Sequence, residues 1–459
     1  MSDSYKAFSA PGKALIAGGY LVLDRAYNSY VVALSSRMHA VIKGKSSSDL
    51  QTTIVKISSP QFANGEWEYE LKSDGEQKFH ALEINGKKNP FAESAVSTVL
   101  AFVNPSIHSH LNITIFSDSG YHSQDETIQK QSGSKKYSYH QKELTQVPKT
   151  GLGSSAGLVT VLTTAIYSYY NTDFDVKSKT QLQLIHNIAQ VAHCQAQGKV
   201  GSGFDVAAAT FGSIVYKRFD PSLINNLKPQ SDITKSQHHE QLVKLVKFHD
   251  WDIKNDKVAL PKGIKLIMGD IKGGSNTPKL VSKVLQWRQS DPESAQVYHE
   301  LDSSNMKYVE SLDKLNKFSE TNPDEYENLI NFIINNNTTE ILNDQSTPNL
   351  EPIKELINAT NIIRSNFRSI TSRSGAEIEP EPQTKLLDEC SQIKGVISGV
   401  VPGAGGYDAI SLLVAEESID NLIGSTKTNP IFQNVSWLDL HEQSDGIQQE
   451  PVENYIELL

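Results

Sequence analysis

The stretch "VPKTGLGSSAGLVTVLTTAIYSYY", Val147 to Tyr170, limits the folds open to this chain more than any other. Gly151 and Gly153 allow backbone conformations and close approaches that a side chain would block. Ser154 and Ser155 add hydroxyls where an apolar run begins, and Leu158, Leu162, Ile166 and Tyr169 give that run a helical period. A helix start presents free N–H groups and a partial positive charge, so a flexible loop feeding one is an anion cradle, with phosphate as its natural guest. The plain alternative is a turn and a helix cap.

Three known glycine loops compete with this reading. A Walker A loop is excluded, because the Gly-Lys pairs at Gly12, Gly44, Gly86 and Gly198 all lack the upstream glycine of GxxxxGK[ST]. Gly151, Gly153 and Ala156 satisfy GxGxxG/A, but "HQKELTQVPKT" before them is no buried strand, and no strand ending in an acidic ribose ligand follows at the right distance. Gly153 to Gly157 also satisfies GxSxG, with Ser155 as nucleophile and Asp205 and a histidine as partners. That motif too wants a strand directly before it. A serine hydrolase using Ser155 is kept as an alternative.

Composition narrows the partners. The 459 residues carry a formal net charge of -10, which argues against a surface made to neutralise nucleic-acid phosphates or an anionic membrane. Cys194 and Cys390 are the only cysteines and have no metal-ligand spacing, so a reducing compartment fits. The start "MSDSYKAFSAPGK" lacks a signal pattern and no window has the apolar length of a membrane span, so a cytoplasmic protein is expected, with neither nucleic acid nor membrane as partner. Monomer and homodimer both stay open.

Along the chain, "KALIAGGYLVLD", "SYVVALSSRMHAVIK", "TTIVKIS", "EWEYEL" and "LNITIFS" read as strands. A polar stretch over about 118–145 reads as a solvated excursion. A second helix runs from about Thr180 to Gln197 and stops at Gly198. The expected division is an N-terminal domain over 1–223, an irregular charged connector over 224–262, and a C-terminal domain over 263–459 that opens with the strand "GIKLIMGDIKG" and later carries the strands "GVISGVV" and "DAISLLVAE".

Two further constellations carry chemistry. "SAPGKALIAGGY" sets Lys13 at the entry to a strand, and "GKVGSGFDVAAATFG" sets Asp205 between glycine and alanine runs, where backbone can approach a ligand. Near the end, "VPGAGGYDA" repeats the theme of strand, glycine-rich loop and strand.

The blocks "PGKALIAGGY", "PKTGLGSSAGL" and "PGAGGYDA" resemble, in order and separation, the motifs of the GHMP kinases; within them the chain is most similar to the fungal-type phosphomevalonate kinases. The resemblance implies an α+β fold, with an N-terminal ribosomal-protein-S5-like α/β domain and a C-terminal ferredoxin-like α+β domain. It implies phosphoryl transfer from ATP to (R)-5-phosphomevalonate, with Mg²⁺, in the mevalonate route to isoprenoids and sterols. Mevalonate kinase is the alternative within the superfamily, and a sugar-sensing regulator that has lost catalysis is a further one. By matching motifs, Lys149, Gly151, Leu152, Gly153, Ser154, Ser155 and Ala156 are expected at the ATP phosphates, with Ser155 near the metal. Lys13 and Asp205 are expected at the transferred group, and Gly403, Gly405 and Gly406 beside the substrate, bracing the first motif. For the substrate the expected contacts are Tyr20, His193, Gln197, Lys199, Ser202, Ala404 and Gly405.

Because the acceptor implied is a phosphate monoester with a second pKa of about 6, it is already nucleophilic at neutral pH. A general base is scarcely needed, and the expectation is that Asp205 orients Lys13 while Lys13 neutralises charge between donor and acceptor. Arg37 and His39 are added as further cations for the acceptor. Hydroxyl-phosphorylating relatives carry a glutamate on the second helix as a metal ligand, whereas this chain reads His193-Cys194-Gln195, leaving Ser155, the phosphates and water. His186 is assigned to a buried network, "KKNPFAES" (Lys87 to Ser94) to a loop near adenine, and Arg364 and Arg368 to a solvated face.

Overall fold

The computed structural model describes residues 4–73, 79–124, 126–228 and 232–459. Residues 1–3 of the N-terminal reading, Asp125 of the polar excursion and residues 229–231 of the connector lie outside the described residues. The described strands form one sheet of ten, one of four and a two-stranded hairpin.

The spine of the large sheet is the antiparallel pair β1 (Lys6–Ala17) and β2 (Ser29–Ser46). Their register shifts between Pro11 and Gly12, an irregularity of the kind that re-aims the next side chain, here Lys13. The strand expected through "GGYLVLD" is corrected: β1 ends at Ala17, Gly18 takes a φ of 96°, and Leu21–Leu23 form a 3-10 turn. The sheet continues through β3 (Thr53–Ser58), β4 (Glu66–Ser73) and β5 (Phe79–Glu83). After α1 (Pro90–Val103), capped by the Asn89 side chain, β6 (Ser109–Ser117) pairs antiparallel with β2 and parallel with β3.

The polar stretch that follows is exposed along Ile128 to Gln131, as expected of a solvated excursion, but it has regular structure and a buried side. Its residues form a hairpin, β7 (Thr127–Ser132) and β8 (Lys135–His140), whose Ser132, Tyr137 and Ser138 are buried. Ser132 and Tyr137 meet Glu453 and Tyr455 at the far end of the chain, which local hydropathy does not reveal, whereas Ser138 is held by Gln124 and Gln129 nearby.

Of the three helices that follow, α2 (Ser154–Tyr170) and α4 (Phe204–Phe211) pack on β1 and β2, and α3 (Lys179–Gln197) lies against α1, α2 and α4. Nearly every residue of α2 from Ala156 to Tyr169 is buried. Ser178 caps the start of α3, and Gly198 ends it in the left-handed conformation, the stop signal that the sequence carries. β9 (Ile214–Lys217) follows; α5 (Ser222–Asn225) and α6 (Lys235–Val243) lead to β10 (Lys254–Lys257), which pairs with β9 at the edge of the large sheet. The connector therefore folds onto the first half of the chain.

In the second half β11 (Ile264–Ile271) opens the small antiparallel sheet, which also holds β12 (Val396–Val400), β13 (Ala409–Ala415) and β14 (Val435–Leu438). Between β11 and β12 run α7 (Thr277–Ser290), α8 (Ser294–Thr321), α9 (Pro323–Asn335), α10 (Thr338–Asn343), α11 (Glu351–Ser374) and α12 (Glu381–Ser391). The chain then crosses back: β15 (Glu442–Gln443) pairs with β2 and β16 (Gln448–Glu450) with β1.

Candidate active site

Lys13 is stitched to the glycine loop at two points. Its backbone N–H donates to the Leu152 carbonyl and its Nζ to the Gly151 carbonyl, each at 3.0 Å. Gly153, with a φ of 84°, is the N-cap of α2, and no side chain caps that helix. Gly153 itself is the cap and the serines are not, so the turn and helix cap of the plain alternative are present, and the first-turn N–H groups are left free of any side-chain cap. A Cβ on Gly153 would lie 3.2 Å from Lys13 Cε and 3.9 Å from Asp205 Cβ, so a glycine here is what lets loop, lysine and aspartate converge. Leu152 and Ala156 are buried, and Leu152 takes part through its carbonyl.

Asp205 sits in the first turn of α4, where its Oδ1 accepts the Val206 N–H at 2.9 Å. Burial pulls the Lys13 ammonium below its ordinary pKa, and the Asp205 carboxylate works against that pull. The Lys13 Nζ also lies 5.5 Å from the centre of the Phe204 ring. From α3, the buried His193 places Nε2 3.1 Å from Ser155 Oγ and 4.0 Å from Asp205 Oδ2. Gln197 approaches the same nitrogen at 3.4 Å.

This cluster lies between two cavities. One, of ≈ 930 Å³, is lined by Lys13, Asp205 and Gly151, and by Tyr20, His193, Gln197, Lys199, Ser202, Ala404 and Gly405, the whole set expected at the substrate. The other, of ≈ 620 Å³, is lined by Lys149, Ser154 and Ser155 and by Lys87 to Phe91 of the loop read as adjoining adenine. Leu152, Gly153 and Ala156 line neither. The C-terminal glycine loop braces the first motif: Gly403 N–H donates to the Leu15 carbonyl at 3.0 Å and Tyr20 Oη to the Ala404 carbonyl at 2.7 Å. Gly406 does not line the larger cavity; its N–H donates to the Ile378 carbonyl.

Some expected residues lie elsewhere. Arg37 and His39 are buried under the C-terminal segment, Arg37 bonded to Ser9 and Gln443 and His39 to Asp118 and Tyr455, so neither reaches the acceptor cavity. Arg364 is not on a solvated face; it is buried against Glu379, which Arg368 also meets. His186 does belong to a buried network with Asn187 and Gln190, and Gln190 donates to the Gly203 carbonyl at 2.6 Å, holding the turn before Asp205.

Other parts of the site have no strong sequence signal. Arg218 donates to the carbonyls of Leu23, Val200 and Gly201 and so fastens the loop ahead of Asp205. α7 supplies a polar wall to the larger cavity through Thr277, Ser282, Gln286 and Gln289; only "GGSNTP" before it, with Asn276 capping the helix, hints at a loop facing a ligand. Phe62, Trp67 and Phe91 form an aromatic side of the smaller cavity.

The comparisons with known proteins bear on this geometry. The model described as the GHMP kinases N terminal domain matches residues 126–213, which include the glycine loop and Asp205. A phosphomevalonate kinase of Candida albicans is 46% identical over 99% of this chain and 100% of that protein. The chain belongs to the phosphomevalonate kinase family. Another phosphomevalonate kinase, from Gibberella zeae, is 36% identical over 90% of this chain and 88% of its own length. The fold is shared with Streptococcus pneumoniae phosphomevalonate kinase, solved with phosphomevalonate and AMPPNP: TM-score 0.59 at 14% identity, covering 95% of this chain and 99% of that one. A member of the phosphomevalonate kinase family thus keeps its lysine, aspartate and glycine loop together between the two cavities.

Proposed function

We propose that the chain transfers the γ-phosphoryl group of ATP to the phosphate of (R)-5-phosphomevalonate, yielding the 5-diphosphate and ADP in the mevalonate pathway. The observation that carries this reading is the meeting of Lys13, Asp205 and the Gly151–Ser155 loop between a cavity for each substrate. ATP enters the smaller cavity beside Lys149, Ser154 and Ser155, its phosphates reaching the Gly151–Ala156 loop where that cavity meets the larger one, which Gly151 lines. The acceptor enters the larger one, among Tyr20, His193, Gln197, Lys199, Ser202, Ala404 and Gly405.

The difficulty is electrostatic, since two polyanions must come into line. Lys13 and Lys199 are the basic side chains lining the acceptor cavity. Lys13 reaches the phosphate loop and so neutralises charge between donor and acceptor, while the Asp205 carboxylate offsets part of the lowering of its pKa by burial. Charge held in a fixed place needs no reorganisation during transfer.

Among the described residues no three His, Cys, Asp or Glu side chains form a group able to hold a metal ion. Ser155 Oγ and Asp205, each facing His193 Nε2, are a sparse set that would suit Mg²⁺, which keeps much of its water and takes phosphate oxygens as ligands. When bound, the ion offsets negative charge on the nucleotide's phosphates. The hydrolase alternative loses support from His193, because one nitrogen, Nε2, faces both Ser155 and Asp205, whereas a relay needs the two ring nitrogens on opposite partners.

A cytoplasmic location is part of this proposal; among the described residues no helix is long and apolar enough to cross a membrane. Incubation with Mg-ATP and, separately, mevalonate, phosphomevalonate, diphosphomevalonate, galactose and homoserine tests the activity. ADP release with phosphomevalonate alone is expected, and release with another acceptor instead overturns the assignment.

A further inference from the structure

A continuous polar chain runs from the turn that carries His122, a residue lining the smaller cavity, to Tyr455 near the C-terminus. Tyr455, fully buried, has its hydroxyl 3.0 Å from His39 Nδ1, and His39 Nε2 lies 3.0 Å from Asp118 Oδ1. Burial lowers the pKa of His39 and so favours its neutral form. A neutral imidazole giving its Nε2 hydrogen to a carboxylate must accept at Nδ1, which makes the Tyr455 hydroxyl the donor. Asp118 Oδ2 in turn accepts the Arg37 N–H at 2.8 Å, and its backbone carbonyl accepts the Tyr121 N–H at 3.2 Å.

The turn that Asp118 begins is what the phosphate loop rests on. Thr150 donates its N–H to the Tyr121 carbonyl at 3.2 Å and its hydroxyl to the Gly120 carbonyl, and Ser123 N–H donates to the Pro148 carbonyl at 2.9 Å. The Tyr121 hydroxyl sits 3.3 Å from where a Cβ on Gly12 would stand and 3.2 Å from the same point on Gly157, wedged between the residue before Lys13 and the first turns of α2. Both ends of the loop are therefore indexed to residues 118–123.

We propose that Tyr455 is a positioning residue for the nucleotide-phosphate loop, acting through His39 and Asp118 on the turn that supports it. The C-terminal segment is seated firmly enough for this. Arg37 donates to the Gly446 carbonyl and to Gln443, Glu450 accepts the Ser9 hydroxyl at 2.6 Å, and Ser132 of the hairpin donates to the Glu453 carbonyl at 3.2 Å. The hairpin and the returning strands thus clamp Tyr455 against His39, Tyr137 and Phe116.

The inference rests on the kinase reading, and calorimetric titration of the full chain with AMPPNP separates the two. Tyr455→Phe removes one hydroxyl and keeps the ring; it is expected to raise the AMPPNP dissociation constant about fivefold, the worth of one hydrogen bond, and to leave the KM for phosphomevalonate unchanged. Asp118→Asn is expected to weaken binding similarly, and the double variant no further than the weaker single, because both cut one chain. Phe116→Leu loosens the same cluster without touching a polar link; it is expected to lower Tm yet hold the AMPPNP constant within about twofold of the native value. Native-like AMPPNP binding by Tyr455→Phe, or equal weakening by Phe116→Leu, overturns the tether. A native chain that binds no AMPPNP overturns the kinase reading instead.

Discussion

Ser155 and His193 meet at the seam of the two cavities, Oγ to Nε2 at 3.1 Å. This contact fixes the direction of the Ser155 hydroxyl at the wall of the nucleotide cavity. His193→Ala frees that hydroxyl to rotate. The KM for Mg-ATP is expected to rise about tenfold with the KM for phosphomevalonate nearly unchanged, as the loss of one charge-coupled hydrogen bond implies. A serine-directed fluorophosphonate is expected to leave Ser155 unlabelled; labelling there would revive the hydrolase.

Among the described residues Lys13 is the one cation that both lines the acceptor cavity and bonds the phosphate loop at Gly151. Lys13→Met keeps much of the bulk and deletes the charge. Turnover is expected to drop by about 10²- to 10³-fold, the range seen when one preorganised electrostatic contact is lost, while AMPPNP still binds. Steady-state kinetics beside calorimetry checks both halves.

Asp205→Asn distinguishes a lysine-keeping role from a general base. Burial pulls the Lys13 pKa down and Asp205 pushes it up, so losing the carboxylate lets the lysine deprotonate at lower pH. The alkaline limb of the pH–rate profile is expected to move towards neutrality while the acidic limb stays. Disappearance of the acidic limb instead would assign Asp205 the proton.

Gly153→Ala puts a methyl group 3.2 Å from Lys13 Cε at a backbone φ of 84° that disfavours side chains. Strain and contact act together on the lysine. Turnover is expected to fall at least about tenfold with Tm shifted by only a few degrees, a change of about 1 kcal/mol in folding. Unchanged turnover would show that the loop tolerates displacement of Lys13.

Stability is expected to decline as pH falls from 6.5 towards 4. Burial lowers His186 from its ordinary 6.5 to about 4, and His122 likewise to about 4. The fold favours the neutral rings, so their contribution is complete above 6.5 and is lost as protons bind on the way down. For the fully buried His186 the loss is on the order of 3 kcal/mol. Thermal melts over this range should be flatter for His186→Gln, whose amide does not titrate there.

What could be read from the chain alone was local. The loop from Gly151 to Ser155, the helices beginning at Ser154 and near Thr180, the stop at Gly198 and the strands near residues 264, 396 and 409 follow from residue types within a few positions of one another. Lys13 and Asp205 stood out because glycine and alanine runs around a charge mark places where backbone approaches a ligand.

Tertiary structure decided what depends on distant partners. Arg37 and His39 read as cations free for a substrate, but Arg37 binds Gln443 and His39 binds Tyr455, residues about four hundred positions later. The hairpin over 127–140 read as solvated because Ser132 and Tyr137 find their cover in the returning C-terminal segment. The aromatic wall of Phe62, Trp67 and Phe91 gathers from the turn between β3 and β4, from β4 and from α1. Hydrophobic period and turn chemistry act over a few residues, whereas the partner that buries a polar side chain is chosen by strand pairing across the whole chain, and no local pattern encodes that choice.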